Sequence, residues 1–252
     1  MKKFLCVLCV LAVGASSFAA NGKFGLDFSW GLNFGFQNLG LKDEGMEGNL
    51  KRTDLALPVV RVSSYNFFLL DNMLGAFASA NISAGLQFGD KIVSGGESLK
   101  GGGMMGSVSD AFIGLEFMVG PSFGIDINEN LRFQTGLGFH YLYEKSLTES
   151  LANEYAEDGT EIPSISLHSF GIGLTPQLRF SPSKKTSLIL GCDIIFDFGR
   201  GKTSTMFGYE YKDRPTANGY ESGTEFKEIP ANTIDKYFRF GMSPYIGVGI
   251  NF

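Results

Sequence analysis

Most of the chain is built on a two-residue alternation of large apolar and small or polar side chains. From Phe24 to Phe36 every even position is large and apolar, and the odd positions between them are Gly, Asp, Ser or Asn. Successive side chains of a β-strand point to opposite faces, so this pattern predicts a strand with one apolar and one small, polar face. The same pattern returns at 73–88, 111–125, 131–143, 170–180, 188–198 and 238–252.

An eighth segment, 55–70, alternates less regularly. Its apolar positions change phase along the segment, in the order Val60, Val62, Tyr65, Phe67 and Leu69. A β-bulge inserts one extra residue into a strand and thereby shifts the phase of its side chains. We therefore expect a bulge near Ser63-Ser64, where the phase changes.

The connections between these segments alternate in length. Four are long, polar and rich in Gly, Asp and Glu, and they cover 37–54, 89–108, 145–165 and 200–236. Three are short turns, at 71–72, 126–130 and 181–186. Bacterial outer-membrane barrels alternate long extracellular loops with short periplasmic turns in this way. The pattern predicts an all-β fold, an eight-stranded antiparallel up-and-down transmembrane β-barrel.

The lysine positions separate a membrane barrel from a soluble one. A soluble barrel presents its outward face to water and needs charged side chains there. Each lysine after the first twenty residues is expected in a connection, in a turn or at a strand end. These lysines are at 23, 42, 51, 91, 100, 145, 184, 185, 202, 212, 227 and 236. The apolar face is therefore expected to meet lipid, with the Gly, Ser and Asn face lining the lumen.

The first 19 residues have the form of a secretory signal peptide. Two lysines precede an apolar run at 4–13, and the small residues Ser17 and Ala19 favour cleavage after Ala19. The remainder, 20–252, would then be one β-barrel located in the outer membrane. A formal net charge of −5 and a pI near 5.1 have the wrong sign for a nucleic-acid-binding surface.

The last strand carries the most specific pattern. Its apolar side chains alternate through Ile246, Val248 and Ile250 and end at Phe252. This resembles the C-terminal signal by which outer-membrane barrels are recognised for assembly. The whole chain resembles the small OmpW/OmpX-type barrels, in their glycine-rich, spirochaete-like version. The resemblance implies outer-membrane lipid and the barrel-assembly machinery as partners, and in the OmpW family the lumen is regarded as a hydrophobic conduit.

The inward positions of the predicted strands define the candidate site. Its charged members are Asp27, Arg61, Asp110, Glu116, Arg132, Arg179, Asp193, Asp197 and Arg239. Its apolar members are Phe77, Phe112, Met118, Ile189 and Ile195. An eight-stranded barrel is only wide enough for side chains to fill, and buried charges need partners. The charges predict a salt-bridged plug that includes an Asp197–Arg239 pair. The apolar members suit either packing within that plug or the wall of a narrow conduit.

Little in the sequence indicates catalysis. His140 is expected to face inward without a serine at a useful spacing. Ser166 and His168 share an outward face that has no carboxylate to orient the imidazole. We predict no catalytic residue, metal site or cofactor. Two functions remain open: a narrow OmpW-like conduit or carrier for small solutes, hydrophobic ones included, and a non-transporting surface barrel. The second would use four long extracellular loops for adhesion or for binding a host or other partner.

Overall fold

The computed structural model describes most of the chain from Lys23 onward. The described residues are 23–43, 46–89, 91–92, 98–99, 109–146, 165–203, 206–216, 219–229 and 233–251. The predicted signal peptide, 1–19, and the terminal Phe252 lie outside them. Within this part of the chain, no helix is long and apolar enough to cross a membrane.

The described residues form thirteen β-strands. They are β1 (Lys23–Asp43), β2 (Met46–Leu69), β3 (Leu74–Gly89), β4 (Lys91–Ile92), β5 (Ser98–Leu99), β6 (Ser109–Asp126), β7 (Leu131–Ser146), β8 (Ile165–Leu174), β9 (Gln177–Phe180), β10 (Thr186–Thr203), β11 (Met206–Thr216), β12 (Gly219–Ile229) and β13 (Thr233–Asn251).

Nine of these strands form one antiparallel sheet that closes on itself. The order around the ring is β1, β2, β3, β6, β7, β8, β10 and β13, and β13 pairs back with β1. Strand β9 continues the line of β8, because both pair with β7 on one side and with β10 on the other. The break between them falls at Thr175-Pro176, where proline has no N–H for the sheet. With β8 and β9 taken as one interrupted strand, the predicted eight-stranded up-and-down transmembrane barrel is confirmed.

The two faces of the barrel are inverted relative to a soluble protein. On β1 the inward Asp27 and Asn33 are fully buried, whereas Trp30 on the outward face is 55% exposed. The same contrast ends the chain, where Ile246 is 64% exposed. Leaving large apolar side chains in water costs about 25 cal/mol for each Å² of surface. An outward face of this composition is the lipid-facing band of a transmembrane barrel.

The phase shift of β2 lies at Leu57-Pro58, so the expectation of a bulge near Ser63-Ser64 was wrong in position. Against both neighbouring strands, the pairing of β2 jumps from Ala56 to Val59. Pro58 has no backbone N–H to donate to a neighbouring strand, so β2 can leave Leu57 and Pro58 unpaired at this point. The phase is then constant from Val59 through the Ser63 region.

This constant phase places two large aromatic residues inside the barrel. Arg61, Tyr65 and Phe67 are all buried and lie on the same, inward side of β2. A bulge at Ser63-Ser64 would have turned Tyr65 and Phe67 toward lipid. The lumen therefore contains more aromatic volume than the alternation of the sequence indicates.

Two of the four predicted long loops consist largely of strand. The segment 37–54 forms the far end of the β1–β2 hairpin, and the segment 200–236 contains the paired strands β11 and β12. Lys51 therefore lies within β2, contrary to the expectation that strand interiors contain no lysine. It is opposite the exposed Asn38, beyond the last outward aromatic residue of β1, Phe36. These strand ends thus extend past the apolar band.

The other two predicted loops are described only in part. In 89–108, strands β4 and β5 pair with each other as a two-residue ladder. In 145–165, residues 147–164 lie outside the described chain. The three short turns are where the sequence predicts them, and we call that end of the barrel the inner end and the opposite end the outer end.

Glycines on the inward face make room for large side chains in the lumen. A Cβ atom at Gly249 would lie 2.5 Å from Nη2 of Arg179, and one at Gly25 would lie 2.8 Å from the same atom. A Cβ at Gly136 would overlap the ring of Phe77. These close approaches give a packing reason for part of the high glycine content.

Candidate functional site: the filled lumen

The structure buries every charged lumen residue of the sequence prediction whose side chain it describes. None of these is more than 9% exposed: Asp27, Arg61, Glu116, Arg132, Arg179, Asp193, Asp197 and Arg239. Asp110 pairs with Gln87 through the backbone of β6, and its side chain lies outside those described. The charges form three layers along the barrel axis, which we call inner, middle and outer.

In the inner layer, Arg179 of β9 crosses the lumen to strand β1. Its Nη1 donates to Asp27 at 2.6 Å, and its Nη2 donates to Oδ1 of Asn251 at the same distance. Its Nε donates to the Ser187 hydroxyl at 3.0 Å. Every nitrogen of this guanidinium therefore has an acceptor, as a buried cation requires.

Arg132 completes the inner layer nearer to the turns. It donates to the Asp126 carboxylate at 2.7 Å and to the backbone oxygen of Asn72 at 2.5 Å. Its guanidinium also lies 4.3 Å from the centre of the Phe67 ring, a cation–π distance. The Asp126 side chain is 50% exposed, so this pair borders solvent, whereas the Asp27 side chain of the other pair is fully buried.

The middle layer is centred on Arg61 of β2. Its Nε lies 3.1 Å from Asp193 of β10, and its other nitrogens donate to Ser63 at 2.6 Å and Thr175 at 3.1 Å. The guanidinium stacks 4.4 Å from the centre of the Tyr245 ring. Contacts from β2, β8–β9, β10 and β13 thus meet at one side chain.

The outer layer is centred on Arg239 of β13. Its nitrogens lie 3.3 Å from Glu116, 3.7 Å from Asp54 and 3.7 Å from Asp197. Asp197 is directly opposite Arg239 in the pairing of β10 with β13, as the two inward positions predict. Asp197 also lies 2.7 Å from Nδ1 of His140.

Beyond Arg239 lies a set of polar residues that the sequence prediction missed. Gln37 donates to Glu144 at 3.1 Å and also to Asp54, and Gln87 donates to Glu144 as well. Arg52 donates to Gln87 at 3.0 Å. The prediction missed Gln37, Arg52 and Asp54 because they fall in a segment assigned as a loop. Alternation continued past Phe36 is the signal that could have found them.

The buried charges of the described lumen nearly balance. The carboxylates are Asp27, Asp54, Glu116, Glu144, Asp193 and Asp197, and the guanidinium groups are Arg52, Arg61, Arg132, Arg179 and Arg239. His140 is also buried with the outer layer, beside Asp197. A ring of one sign, which an ion-selective path needs, is not present among these residues.

The apolar lumen residues of the prediction are also buried, and they pack between the polar layers. Phe77, Met118 and Ile195 form one cluster with Tyr65 and Phe67. Phe112 joins a second cluster of smaller side chains, and Ile189 is 1% exposed. These residues fill space inside the barrel.

A third apolar cluster lies toward the outer end and was missed by the sequence prediction. Its members are Leu39, Leu167, Ile234 and Tyr237, all at most 3% exposed. Tyr237 is opposite Leu39 in the β1–β13 ladder, so the cluster bridges these strands and β8. The sequence prediction placed Leu39 and Ile234 in long loops, and it placed Leu167 and Tyr237 just outside the predicted strands.

The inner end of the lumen opens into a cavity of about 590 Å³. Tyr65 and Phe67 supply apolar parts of its lining, and Arg132, Arg179 and Lys184 supply basic parts. Its size is in the range of small-molecule sites. The cavity therefore has room for a ligand at the inner end of the described lumen.

Among the described lumen residues, Ser169, His140 and Asp197 do not form a catalytic triad. Asp197 accepts a hydrogen bond from Ser169 at 3.4 Å and lies 2.7 Å from His140, so the carboxylate separates the hydroxyl from the imidazole. In a catalytic triad the imidazole lies between the two. On the outward face, Nδ1 of His168 lies 2.9 Å from the Tyr141 hydroxyl. Among the described residues, no three His, Cys, Asp or Glu side chains are grouped to hold a metal ion.

The predicted assembly strand lies along β13. Ile246, Val248 and Ile250 are exposed on the outward face, and β13 closes the ring by pairing with β1. Phe252 lies beyond the described residues. The part of the motif that the structure describes therefore has the alternation that the sequence predicts.

A closed antiparallel ring, an exposed apolar band and a polar, packed interior define a small outer-membrane β-barrel. Comparison with solved structures gives the same class. The fold is similar to that of the outer-membrane protein OprG from Pseudomonas aeruginosa, with a TM-score of 0.55 and 11% sequence identity over 92% of this chain and 96% of that one. The predicted resemblance to OmpW/OmpX-type barrels is thereby confirmed at the level of fold.

Two further solved barrels match with lower TM-scores. Ail, the attachment invasion locus protein of Yersinia pestis, was solved with the heparin analogue sucrose octasulfate. It matches with a TM-score of 0.38 and 14% identity over 92% of this chain and 99% of Ail. The protease OmpT of Escherichia coli matches with a TM-score of 0.36 and 8% identity over 91% and 97%. No family model and no curated protein sequence matches the chain.

Proposed function

We propose that this protein is an outer-membrane barrel closed by its own lumen side chains, and that it acts through its outer surface rather than as an open pore. The observation that carries the proposal is a set of side-chain contacts across the full width of the barrel. In a ring of eight, strands four positions apart are diametrically opposite. Contacts between such strands occur at more than one level.

Three of these contacts cross between opposite strands. Arg239 of β13 donates to Glu116 of β6 at 3.3 Å. Gln37 of β1 donates to Glu144 of β7 at 3.1 Å. The hydroxyls of Tyr65 on β2 and Thr175, between β8 and β9, lie 3.1 Å apart. An open path along the axis would have to pass through all of these contacts.

The electrostatics favour the closed state. Removing one partner of a buried ion pair leaves an uncompensated charge and costs about 3–5 kcal/mol. A solute passing Arg239 or Arg61 would have to separate such pairs or replace their contacts. The near balance of buried charges also gives no preference for one sign of ion.

Conductance in planar lipid bilayers tests the proposal. The wild-type protein is expected to be silent, and Arg239→Ala is expected to admit water and conduct because it removes the centre of the outer layer. Arg200→Ala is the matched control, since Arg200 is an exposed arginine near the same end of the barrel. Steady wild-type conductance would overturn the proposal.

A narrow conduit or carrier for small hydrophobic solutes is the second candidate. The inner cavity of about 590 Å³ supports it, because Tyr65 and Phe67 line that cavity and belong to the apolar cluster above it. Phe77 belongs to this cluster, and the larger side chain of Phe77→Trp should narrow a path through it. If this candidate holds, cells producing the wild-type barrel should therefore take up an apolar naphthylamine dye faster than cells producing Phe77→Trp. Equal uptake by these cells and by cells without the barrel would eliminate it.

Strand extensions beyond the apolar band support a surface role in adhesion or partner binding. Strands β11 and β12 pair over eleven residues each, outside the barrel ladder. Replacing 206–229 with a short turn should leave folding unchanged and reduce adhesion of producing cells to a host-cell layer. Unchanged adhesion would count against this hairpin as the binding element.

The outer-membrane location is also part of the proposal, and Cys192 offers a direct test. It is half-buried and follows the outward phase of its neighbour Leu190. A membrane-impermeant maleimide should leave Cys192 unlabelled in bilayers until the protein is denatured. The positive control is a cysteine placed at Ser183, in an exposed turn at the inner end of the barrel. It is tested in vesicles where the inner end of the barrel faces the reagent. Rapid labelling of Cys192 in the folded protein would contradict the placement of this side chain against lipid.

We also propose that the terminal strand is the signal read by the barrel-assembly machinery. The exposed alternation of Ile246, Val248 and Ile250 and the closing position of β13 support this. Deleting Phe252 should lower the amount of folded barrel in the outer membrane and leave unfolded chain in the periplasm. Phe252→Tyr is the control and should assemble normally, because it keeps a terminal aromatic ring. Normal assembly of the deletion would refute the assignment.

A further inference from the structure

The outward face near the outer end changes from aromatic to basic within one row of residues. Phe170 of β8 is opposite Phe198 of β10, which in turn is opposite Phe238 of β13. All three are exposed and end the apolar band on these strands. One outward position further along β8, His168 lies opposite Arg200 of β10.

Two lysines extend this basic row on the adjoining strands. Lys145 of β7 is opposite Ser166, the next outward position beyond His168. Lys236 of β13 is the next outward position beyond Phe238. We call Lys145, His168, Arg200 and Lys236 the rim patch. Strands are about 4.8 Å apart, so four adjacent strands place these groups within roughly 15 Å of one another.

The cations of the rim patch lack the partners that the lumen cations have. Lys145, Arg200 and Lys236 are exposed, and none forms an ion pair or hydrogen bond with another described side chain. The carboxylates described at this end of the barrel, such as Glu116 and Asp197, are buried on the inward face. Among the side chains that the structure describes, this part of the outward face is therefore positive, although the lumen is nearly neutral.

His168 is held in a defined orientation within the patch. Its Nδ1 lies 2.9 Å from the Tyr141 hydroxyl, and its ring centre is 4.9 Å from that of Tyr143. These contacts leave Nε2 as the ring nitrogen available to an external group. The patch thus combines long, adaptable cations with one oriented imidazole.

We propose that the rim patch binds the phosphate of an anionic lipid headgroup in the outer leaflet. A charged phosphate accepts several charge-assisted hydrogen bonds from arginine and lysine. The exposed Phe170, Phe198 and Phe238 lie directly below the cations, where the acyl chains of the same lipid would run. This continuity of an apolar band with a basic row fits an amphiphile better than a free anion. The inference rests on membrane insertion and is independent of whether the lumen is closed.

Lipid retention in nanodiscs tests the proposal. Full-length barrel is placed in dioleoylphosphatidylcholine with a minor fraction of dioleoylphosphatidic acid, and the lipids that stay bound after extraction are identified by native mass spectrometry. The wild-type protein should retain phosphatidic acid preferentially. Lys145→Gln/Arg200→Gln should weaken this retention by about tenfold, and excess inorganic phosphate should not displace the lipid.

The matched control is Lys184→Gln/Lys185→Gln, which removes two exposed cations at the inner end. It should retain phosphatidic acid as the wild type does. Equal retention of both lipids by the wild type, equal loss in the control, or displacement by phosphate would overturn the assignment. If Lys145→Gln/Arg200→Gln does not fold, Lys236→Gln and the salt dependence of wild-type retention test the same surface. None of these rim substitutions changes a lumen side chain, so none should change bilayer conductance. The lipid-binding proposal can therefore fail while the closed-lumen proposal holds.

Discussion

Arg239 and Arg200 lie on adjacent strands near the outer end of the barrel, yet their surroundings are opposite. Arg239 points inward, is 1% exposed and lies within 3.7 Å of three carboxylates. Arg200 points outward, is exposed and has no ion-pair partner among the described side chains. The alternation of a strand decides which of these environments an arginine enters.

The protein uses charged side chains in two different ways. In the lumen a cation must be paired, because burial removes its water and only protein groups can replace that water. At the rim a cation keeps its hydration and remains available to lipid or to another partner. Charges of the lumen are therefore expected to govern stability, and charges of the rim are expected to govern binding.

The largest effect on stability is expected at Arg61. Arg61→Ala leaves the fully buried Asp193 without its cation, and the free energy of unfolding should fall by about 3–5 kcal/mol. Urea unfolding in lipid vesicles, followed by the mobility shift of the folded barrel, measures the change.

The control for this prediction is Arg200→Ala, which should change stability by no more than about 0.5 kcal/mol. Arg61→Ala/Asp193→Ala should recover part of the loss, because it removes the unpaired carboxylate as well. Equal effects of Arg61→Ala and Arg200→Ala would break the distinction between lumen and rim.

Sequence alternation was sufficient to predict the ring and the inward side of most strands. It was insufficient for β2, where the unpaired step at Leu57-Pro58 sets the phase for the rest of the strand. Alternation alone does not mark the residue at which a bulge lies. The apolar pattern of β2 is therefore compatible with a bulge at Ser63-Ser64 and with one at Leu57-Pro58. Only the pairing with β1 and β3 distinguishes them, and that pairing puts Tyr65 and Phe67 inside.

The next largest effect is expected where a lumen glycine faces a ring. Gly136→Ala places a Cβ against the buried Phe77 and should reduce stability by about 1–3 kcal/mol through overpacking. Gly241→Ala is the control on the same inward face, since its Cβ would lie 3.4 Å from the nearest neighbouring atom. Combining Gly136→Ala with Phe77→Leu should restore stability, and the same unfolding assay reports all three. A loss as large for Gly241→Ala would refute the packing explanation.

The outer end of the lumen could not be predicted, because the sequence changes character before the strands end. Polar and charged residues from 37 onward favour a loop, but backbone pairing carries β1 and β2 to residues 43 and 46. Leu39 then meets Ile234 and Tyr237 through long-range pairing that a local pattern does not encode. The candidate site was therefore predicted best at its middle and worst at this end.

The smallest effect is expected at the inner end, where a lumen pair borders solvent. Asp126 is 50% exposed, and its partner Arg132 keeps the Asn72 carbonyl and the Phe67 ring when the carboxylate is lost. Asp126→Asn should therefore cost only about 0–1 kcal/mol, and salt should reduce the difference further. Asp27→Asn removes the charge from a fully buried pair and should cost more, about 1.5–3 kcal/mol, with little dependence on salt. Urea unfolding of both variants at low and high salt makes the comparison. A larger effect at Asp126 than at Asp27 would mean that burial does not decide the strength of these pairs.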